Sequence, residues 1–253
     1  MNSIQKTLSL LELISNSPSG LRLPEIAPHL GISVPAAHNY TKSFIQEGFL
    51  VKDKETGKFK TTFKIVKLGF TVLKSNSIIE FTTPVLKQLS EEIGSSVHIA
   101  IRERNLGLCI NKAGPYHTEL SIPRIGTEFA LYPTALGRAI LAFLSPAEIA
   151  EYFESVELLP FTKRTVTSKV KLTEILKETK KRGFSLDFEE HKIGLCSMGV
   201  PILDRNSEVR GALSSMIPFS STQKEQSQNS KILKKYSLKL TELLDEIMFP
   251  DFY

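Results

Sequence analysis

The spacing of the apolar residues changes near residue 95. Ile4, Leu8, Leu11 and Ile14, and later Ile65, Leu68, Val72 and Leu73, recur every three or four residues, whereas Val97, Ile99 and Ile101 alternate with polar neighbours. Neither a helical bundle nor an all-β sheet accommodates both periods, so the chain is expected to be α+β, with helices first and an antiparallel sheet after them. Its 253 residues exceed one ordinary domain, which predicts two compact units.

Charge divides in the same place. Residues 1–75 hold 10 Lys and Arg against 5 Asp and Glu, and residues 76–253 hold 22 of each, so the net charge of +5 belongs to the first third. A basic head on a neutral body suits a phosphate-binding module joined to a metabolite-binding one. No apolar run approaches the roughly 18 residues that would cross a bilayer, and Glu12 interrupts the N-terminal apolar stretch, so a cytoplasmic protein without a membrane partner is expected. The two cysteines, Cys109 and Cys196, form no C-x-x-C pair, and His98, His117 and Cys109 lack tight ligand spacing; neither a metal nor another cofactor is expected.

Within the head, the turn residues of "NSPSG" end a first helix, and Pro24 opens a second that runs to about Leu30. Gly31 then supplies a turn, Ser33 is placed to cap the next helix, and Pro35 is tolerable in its first turn. Along that third helix Ala37, Tyr40 or Thr41, and Phe44 fall on an inward face. Pro35, Ala36, Asn39, Lys42 and Ser43 fall outside it. Small residues permit close approach to a duplex, Asn39 offers the donor and acceptor that match an adenine edge, and Lys42 can meet a phosphate. "GFLVKDKETGKFKTT" reads as a hairpin around Glu55-Thr56-Gly57 carrying Lys52, Lys54, Lys58 and Lys60. Three short helices followed by a basic hairpin form a winged helix-turn-helix over residues 1–62, with the third helix in the major groove and the wing against the backbone. A connecting helix over 63–77 is expected to pack against a second subunit.

The larger unit, 78–253, is predicted to hold helices at 78–93, 134–144, 146–153, 168–182 and 222–248. Strands are predicted in the hairpin 96–114 and at 118–123, 184–188, 195–203 and 209–217. Ser145-Pro146-Ala147-Glu148 reads as a capping box with proline at the first helical position.

Three stretches, "SLLELISNSPSGLRLPEIAPHLGI" with its wing, "YPTALGRAILAFLSPAEI" and "RGFSLDFEEHKIGLCSMGVPILDRNSEVRGALSSMIP", resemble the IclR family of bacterial transcriptional regulators over nearly the whole chain. The resemblance implies a winged helix-turn-helix followed by an effector domain with a GAF-like antiparallel sheet, assembled as dimers or tetramers and responsive to small organic, aromatic or sugar-derived carboxylates. In the third helix His38 matches the family pattern, while Asn39 stands where an arginine is common. Asn39 cannot make arginine's bidentate guanine contact, so the operator is expected to differ.

In the effector domain the resemblance assigns ligand contacts to Ala135, Leu136 and Gly137 at a helix start, to Asp187 and to Ser214. Ser197 stands at the family's pocket cysteine, one residue after Cys196, and Met216 replaces a second serine. These exchanges imply a carboxylate with an apolar portion. The expected partners are therefore a palindromic DNA operator, read by Ser33, Pro35, Ala36, His38, Asn39, Lys42, Ser43 and the wing's Lys58, together with a small carboxylate and further copies of the chain. The rival reading is an enzyme that processes a metabolite through Cys109 or Cys196; neither has a neighbouring histidine in sequence.

Overall fold

The computed structural model describes residues 2–75, 78–114 and 123–247. The chain divides into two compact units, Met1–Ser75 and Asn76–Tyr253, and the helix expected as a linker groups with the first.

The first unit contains α1 (Ser3–Ser15), α2 (Leu23–Leu30), α3 (Val34–Gln46), β1 (Leu50–Lys52), β2 (Phe59–Thr61) and α4 (Phe63–Ser75). Gly31 ends α2 in the left-handed conformation at φ 61°, and Ser33 Oγ accepts the Ala36 N–H to start α3. Asp53 Oδ1 accepts the N–H groups of Glu55 and Thr56 at 3.0 and 2.9 Å, which shapes the hairpin turn. Arg22 Nε donates to Thr56 O at 2.9 Å and fastens that turn to the start of α2. Leu10, Ile14, Ile26, Ala27, Leu30, Ala37, Leu50 and Phe59 close the core.

Two expectations for this unit are corrected. The buried stripe of α1 runs through Leu10 and Ile14, while Ile4 is 72% and Leu8 56% exposed; the other helices approach from the Leu10 side. The hairpin register opposes Lys52 to Phe59 and Val51 to Lys60, so the lysines of the two strands lie on opposite faces.

The second unit contains α5 (Ile78–Ile93), β3 (Val97–Glu103), β4 (Leu106–Ala113), β5 (Glu128–Ala130), α6 (Ala135–Leu141), α7 (Pro146–Ser155), α8 (Lys169–Arg182), β6 (Ser185–Phe188), β7 (Cys196–Leu203), β8 (Val209–Met216) and α9 (Gln223–Ile247). Its strands form one antiparallel sheet in the order β5-β4-β3-β8-β7-β6. Residues 118–122 of the strand expected at 118–123 lie outside the described residues, and the three-residue edge strand β5 had no pattern long enough to announce it.

Alternation sorts the sheet's side chains between two cores. Val97, Ile99, Met198, Val200, Ile202 and Leu213 pack with Leu86 and Leu89 of α5 and Leu233 and Leu240 of α9. On the opposite face Ala100 and Ala212 meet Leu136, Ala139 and Ile140 of α6, with Tyr152 of α7 and Leu172 of α8 behind them. Ser145 caps α7 in the expected capping box.

The first turn of α6 lies almost on the sheet. A methyl added at Gly199 of β7 would stand 2.5 Å from Ala135 O, and one at Gly137 would stand 2.1 Å from Leu131 O. Gly199→Ala and Gly137→Ala are therefore expected to destabilise this unit by about 1–3 kcal/mol each. Urea unfolding of the intact chain checks this, and Gly69→Ala in α4, where the new methyl meets nothing within 4 Å, should leave the second unit's transition in place.

Candidate functional site

The outer face of α3 is bare in the first unit. Ser33, Pro35, His38, Asn39, Lys42 and Ser43 are exposed and Ala36 half-buried, whereas Ala37 and Thr41 are buried on the inner face. Ser43 Oγ donates to the backbone carbonyl of Asn39, and the Asn39 residue itself is exposed. Lys58, on the wing, is half-buried.

In the second unit a cavity of about 40 Å³, about 450 Å³ with its open mouth, lies between the sheet and the start of α6. Its floor consists of two rows of side chains that cross the strands. Asp187, Ser197 and Met216 stand directly opposite one another on β6, β7 and β8, and Ser185, Gly199, Ser214 and His98 form the next row. Ser185 Oγ donates to Ala135 O and Gly199 lies beneath it, so α6 covers that end of the second row. Ser214 and His98 remain uncovered and line the cavity. Phe129, Leu136, Leu195 and Met216 supply apolar walls, and Thr134 and His191 further polar edge.

The structure thus gathers Leu136, Asp187, Ser197, Ser214 and Met216 around one space. Ala135 and Gly137 are not among its lining residues: Ala135 O is occupied by Ser185, and the Gly137 N–H donates to the Thr134 Oγ1 cap at 3.1 Å. The glycine serves the close approach to Leu131 described above. Cys196 falls on the opposite face of β7, among the α5 and α9 side chains, so Ser197 and not its neighbour presents to the cavity.

His98 and His191 were not singled out from sequence as ligand contacts. His98 is 1% exposed, and its Nε2 has no hydrogen-bond partner; the same holds for buried His191 Nδ1. Buried polar atoms without a protein partner, set beside a cavity, are places where a ligand can form hydrogen bonds. Burial, with Lys112 adding to it, lowers the His98 pKa to about 4, and burial lowers that of His191. Both imidazoles are therefore neutral near pH 7. Asp187, 3% exposed, is pushed up to about 7 by burial, against the pull of the Glu190 N–H it accepts at 2.8 Å and of the Arg138 charge.

The guanidinium of Arg138 in α6 makes four hydrogen bonds. Nε donates to Tyr132 O, Nη1 to Leu186 O and Glu190 Oε1, and Nη2 to Glu190 Oε2. Neither cysteine is presented as a nucleophile. Cys109 is buried in the α6 core with its pKa raised to about 12, and burial also raises that of Cys196. Among the described residues no group of three or more His, Cys, Asp and Glu is placed to hold a metal, and no helix is long and apolar enough to cross a membrane.

Residues 3–54 match the IclR helix-turn-helix domain, and residues 70–242 match the bacterial transcriptional regulator IclR C-terminal domain. The chain belongs to the IclR family. It is 28% identical over 214 residues to the HTH-type transcriptional regulator XynR of Escherichia coli, covering 85% of each chain. Among solved structures, the Thermotoga maritima IclR aligns with TM-score 0.74 and 29% identity over 97% of this chain and 99% of that one. An IclR homolog from Microbacterium hydrocarbonoxydans, solved with 4-hydroxybenzoate, shares the fold at TM-score 0.80 and 16% identity over 96% of this chain and 100% of that one. The chain is a DNA-binding transcriptional regulator of the IclR family, and its relatives are regulators and not enzymes.

The two buried groups of this IclR-family cavity pull stability in opposite directions with pH. The His98 pKa is depressed, so its contribution is present above about 6.5 and lost as pH falls toward 4; the Asp187 pKa is raised, so its contribution is present below about 4 and lost as pH rises toward 7. In the native protein the two trends offset each other. Asp187→Asn is expected to expose the His98 trend, with stability falling by up to about 3 kcal/mol from pH 6.5 to 4. His98→Gln should expose the opposite slope over the same window, and denaturant titrations of both variants across pH 4–7 check the signs.

Proposed function

We propose that this regulator reads a palindromic operator with the outer face of α3 and tunes that reading through a small carboxylate with an apolar portion held in the C-terminal cavity. The bare α3 face beside a basic hairpin is the observation that carries the DNA half. Asn39 is its base-reading group, His38, Pro35, Ala36 and Ser43 shape the approach, and Ser33, Lys42 and Lys58 meet the backbone. Walls of Phe129, Leu136, Leu195 and Met216 around serines, histidines and an aspartate support an effector with one polar and one apolar end. The 4-hydroxybenzoate bound by the Microbacterium homolog has that character.

Further copies of the chain complete the reading. One α3 spans too few base pairs to be selective, so two heads must act together. Ile4 and Leu8 of α1 and Phe63, Val66, Leu68 and Phe70 of α4 are exposed large apolar side chains that a second copy would cover. An effector then shifts operator affinity only by its differential affinity for the arrangements of the paired heads.

The test uses a duplex selected by the wild-type protein from a random pool. Asn39→Ala is expected to cost about 1–3 kcal/mol on the selected duplex and to relax preference at one base pair. Lys42→Ala should weaken all duplexes alike and reduce the dependence of log affinity on log salt by about one unit. If both variants keep the wild-type affinity, salt slope and sequence preference in fluorescence anisotropy, α3 is not the reading helix.

A further inference from the structure

We propose that the cavity takes up its acid together with one proton, with protonated Asp187 and the neutral His98 imidazole as the donors that hold the ligand's carboxylate. This rests on the reading that the C-terminal unit binds a small acid. The geometry supplies no cationic anchor: among the described residues, none that lines the cavity is Lys or Arg, and Ser197, Ser214 and Thr134 add only neutral hydroxyls. The cation whose charge acts on Asp187 is Arg138, and four of its five N–H donors go to Tyr132 O, Leu186 O and the Glu190 carboxylate.

The groups around Asp187 balance without it. From α6 comes Arg138, paired with Glu190 of the loop that follows β6; from the segment before α8 comes Arg164, paired with Glu189 at 3.1 Å. The same loop adds His191 and Lys192, β7 adds Ser197 inside and Cys196 on its other face, β8 adds Ser214 and Met216, and β3 adds His98. Lys192 is exposed and Lys112 of β4 stands opposite His98, so among the described residues an ionised Asp187 is held in no ion pair, and a ligand carboxylate would add a second negative charge beside it. Two carboxylates confined together without a cation share a proton. Burial already holds the Asp187 pKa at about 7, so the proton is readily taken from solvent near neutrality. The balance is Asp187 carboxylate plus ligand carboxylate plus one solvent proton, giving Asp187 carboxylic acid hydrogen-bonded to bound carboxylate.

His98 supplies the second donor. Its Nε2 is unpaired, and a neutral imidazole carries its one N–H on either nitrogen, so the Nε2–H tautomer presents a donor beside Ser214, its cross-strand neighbour. With its pKa near 4, His98 stays neutral between pH 6 and 8 and adds nothing to the pH dependence in that window.

Titration calorimetry on the full chain tests this with sodium 4-hydroxybenzoate, benzoate, pyruvate and glyoxylate, and with 4-hydroxybenzamide and xylose as uncharged probes. Each is run at pH 6 and pH 8 in two buffers of different ionisation enthalpy. The acid that binds is expected to bind about tenfold more weakly at pH 8 than at pH 6, with close to one proton taken up at pH 8. Asp187→Asn, which keeps a donor, should bind it equally at both pH values with no proton uptake. His98→Phe should weaken it at least about tenfold at both while keeping the pH slope, and His98→Gln should recover part of the loss.

Acid binding that is equal at pH 6 and 8 in the wild type overturns the proton coupling and leaves the effector reading standing. An uncharged probe as the sole ligand, tightening toward pH 8, overturns the proton coupling and the acid reading together, because Asp187 would then act as an ionised acceptor. Undiminished affinity in His98→Phe overturns the histidine's part. Absence of binding by every acid at both pH values sinks the effector reading, and this inference with it.

Discussion

The buried guanidinium of Arg138 holds the cavity's surroundings in register. At 1% exposure it links the Leu131–Tyr132 turn, β6 and the Glu190 loop to α6 through four hydrogen bonds from one side chain. Taking such a charge out of water is costly, and Glu190 together with two backbone carbonyls offsets that cost; removing one partner of a pair of this kind leaves an unpaired charge at about 3–5 kcal/mol. Glu190 reaches further. Its Oε2 accepts the Val166 N–H, its carbonyl accepts Thr165 Oγ1, and its own N–H donates to Asp187. The acid that faces the ligand space is therefore one bond from the pair that positions α6.

This arrangement explains why the cavity is neutral. Arg138 forms the structural tie with four of its five N–H donors and does not line the cavity. The side chains that line the cavity, serines, histidines and Asp187 among them, offer directional hydrogen bonds in place of a fixed positive charge. The head follows the opposite rule. Its core is small, α3 contributes only Ala37 and Thr41 to the fully buried set, and the outer face of α3 keeps its polar side chains in water. Stability and recognition are thus assigned to opposite faces of one helix in the head, and to different side chains of one loop and strand in the effector unit.

Much of this was legible in the sequence because both periods are regular. The helix starts at Ser33 and Ser145, the turn at Gly31 and strands β6, β7 and β8 fall where caps, glycine and alternation put them. Alternation also places Asp187, Ser197, Ser214 and Met216 on one face. His98 was harder: the alternation of Val97, Ile99 and Ile101 assigns it to the far face of β3, and nothing local says that α6 roofs that face. A register shift between Ile99 and Ala100 obscures the strand further. Gly137 looked like an anion-binding helix start because its tight contact with Leu131 is tertiary. On α1, four apolar positions at helical spacing could not reveal which stripe the other helices would meet.

The remaining link runs from cavity to operator. A ligand that protonates Asp187 changes what the Glu190 N–H donates to, from a carboxylate to a neutral carboxyl oxygen, and that hydrogen bond belongs to the same residue whose side chain neutralises Arg138. The loop carrying Glu189, at a positive φ of 59°, and His191 is strained and held from outside by Thr162 and Arg164. A change in that one bond therefore falls on a segment that already carries backbone strain at Glu189. Whatever arrangement of the loop the bound acid favours, the operator can respond only to the free-energy difference that this choice carries, so a weakly discriminating ligand would bind well and regulate poorly.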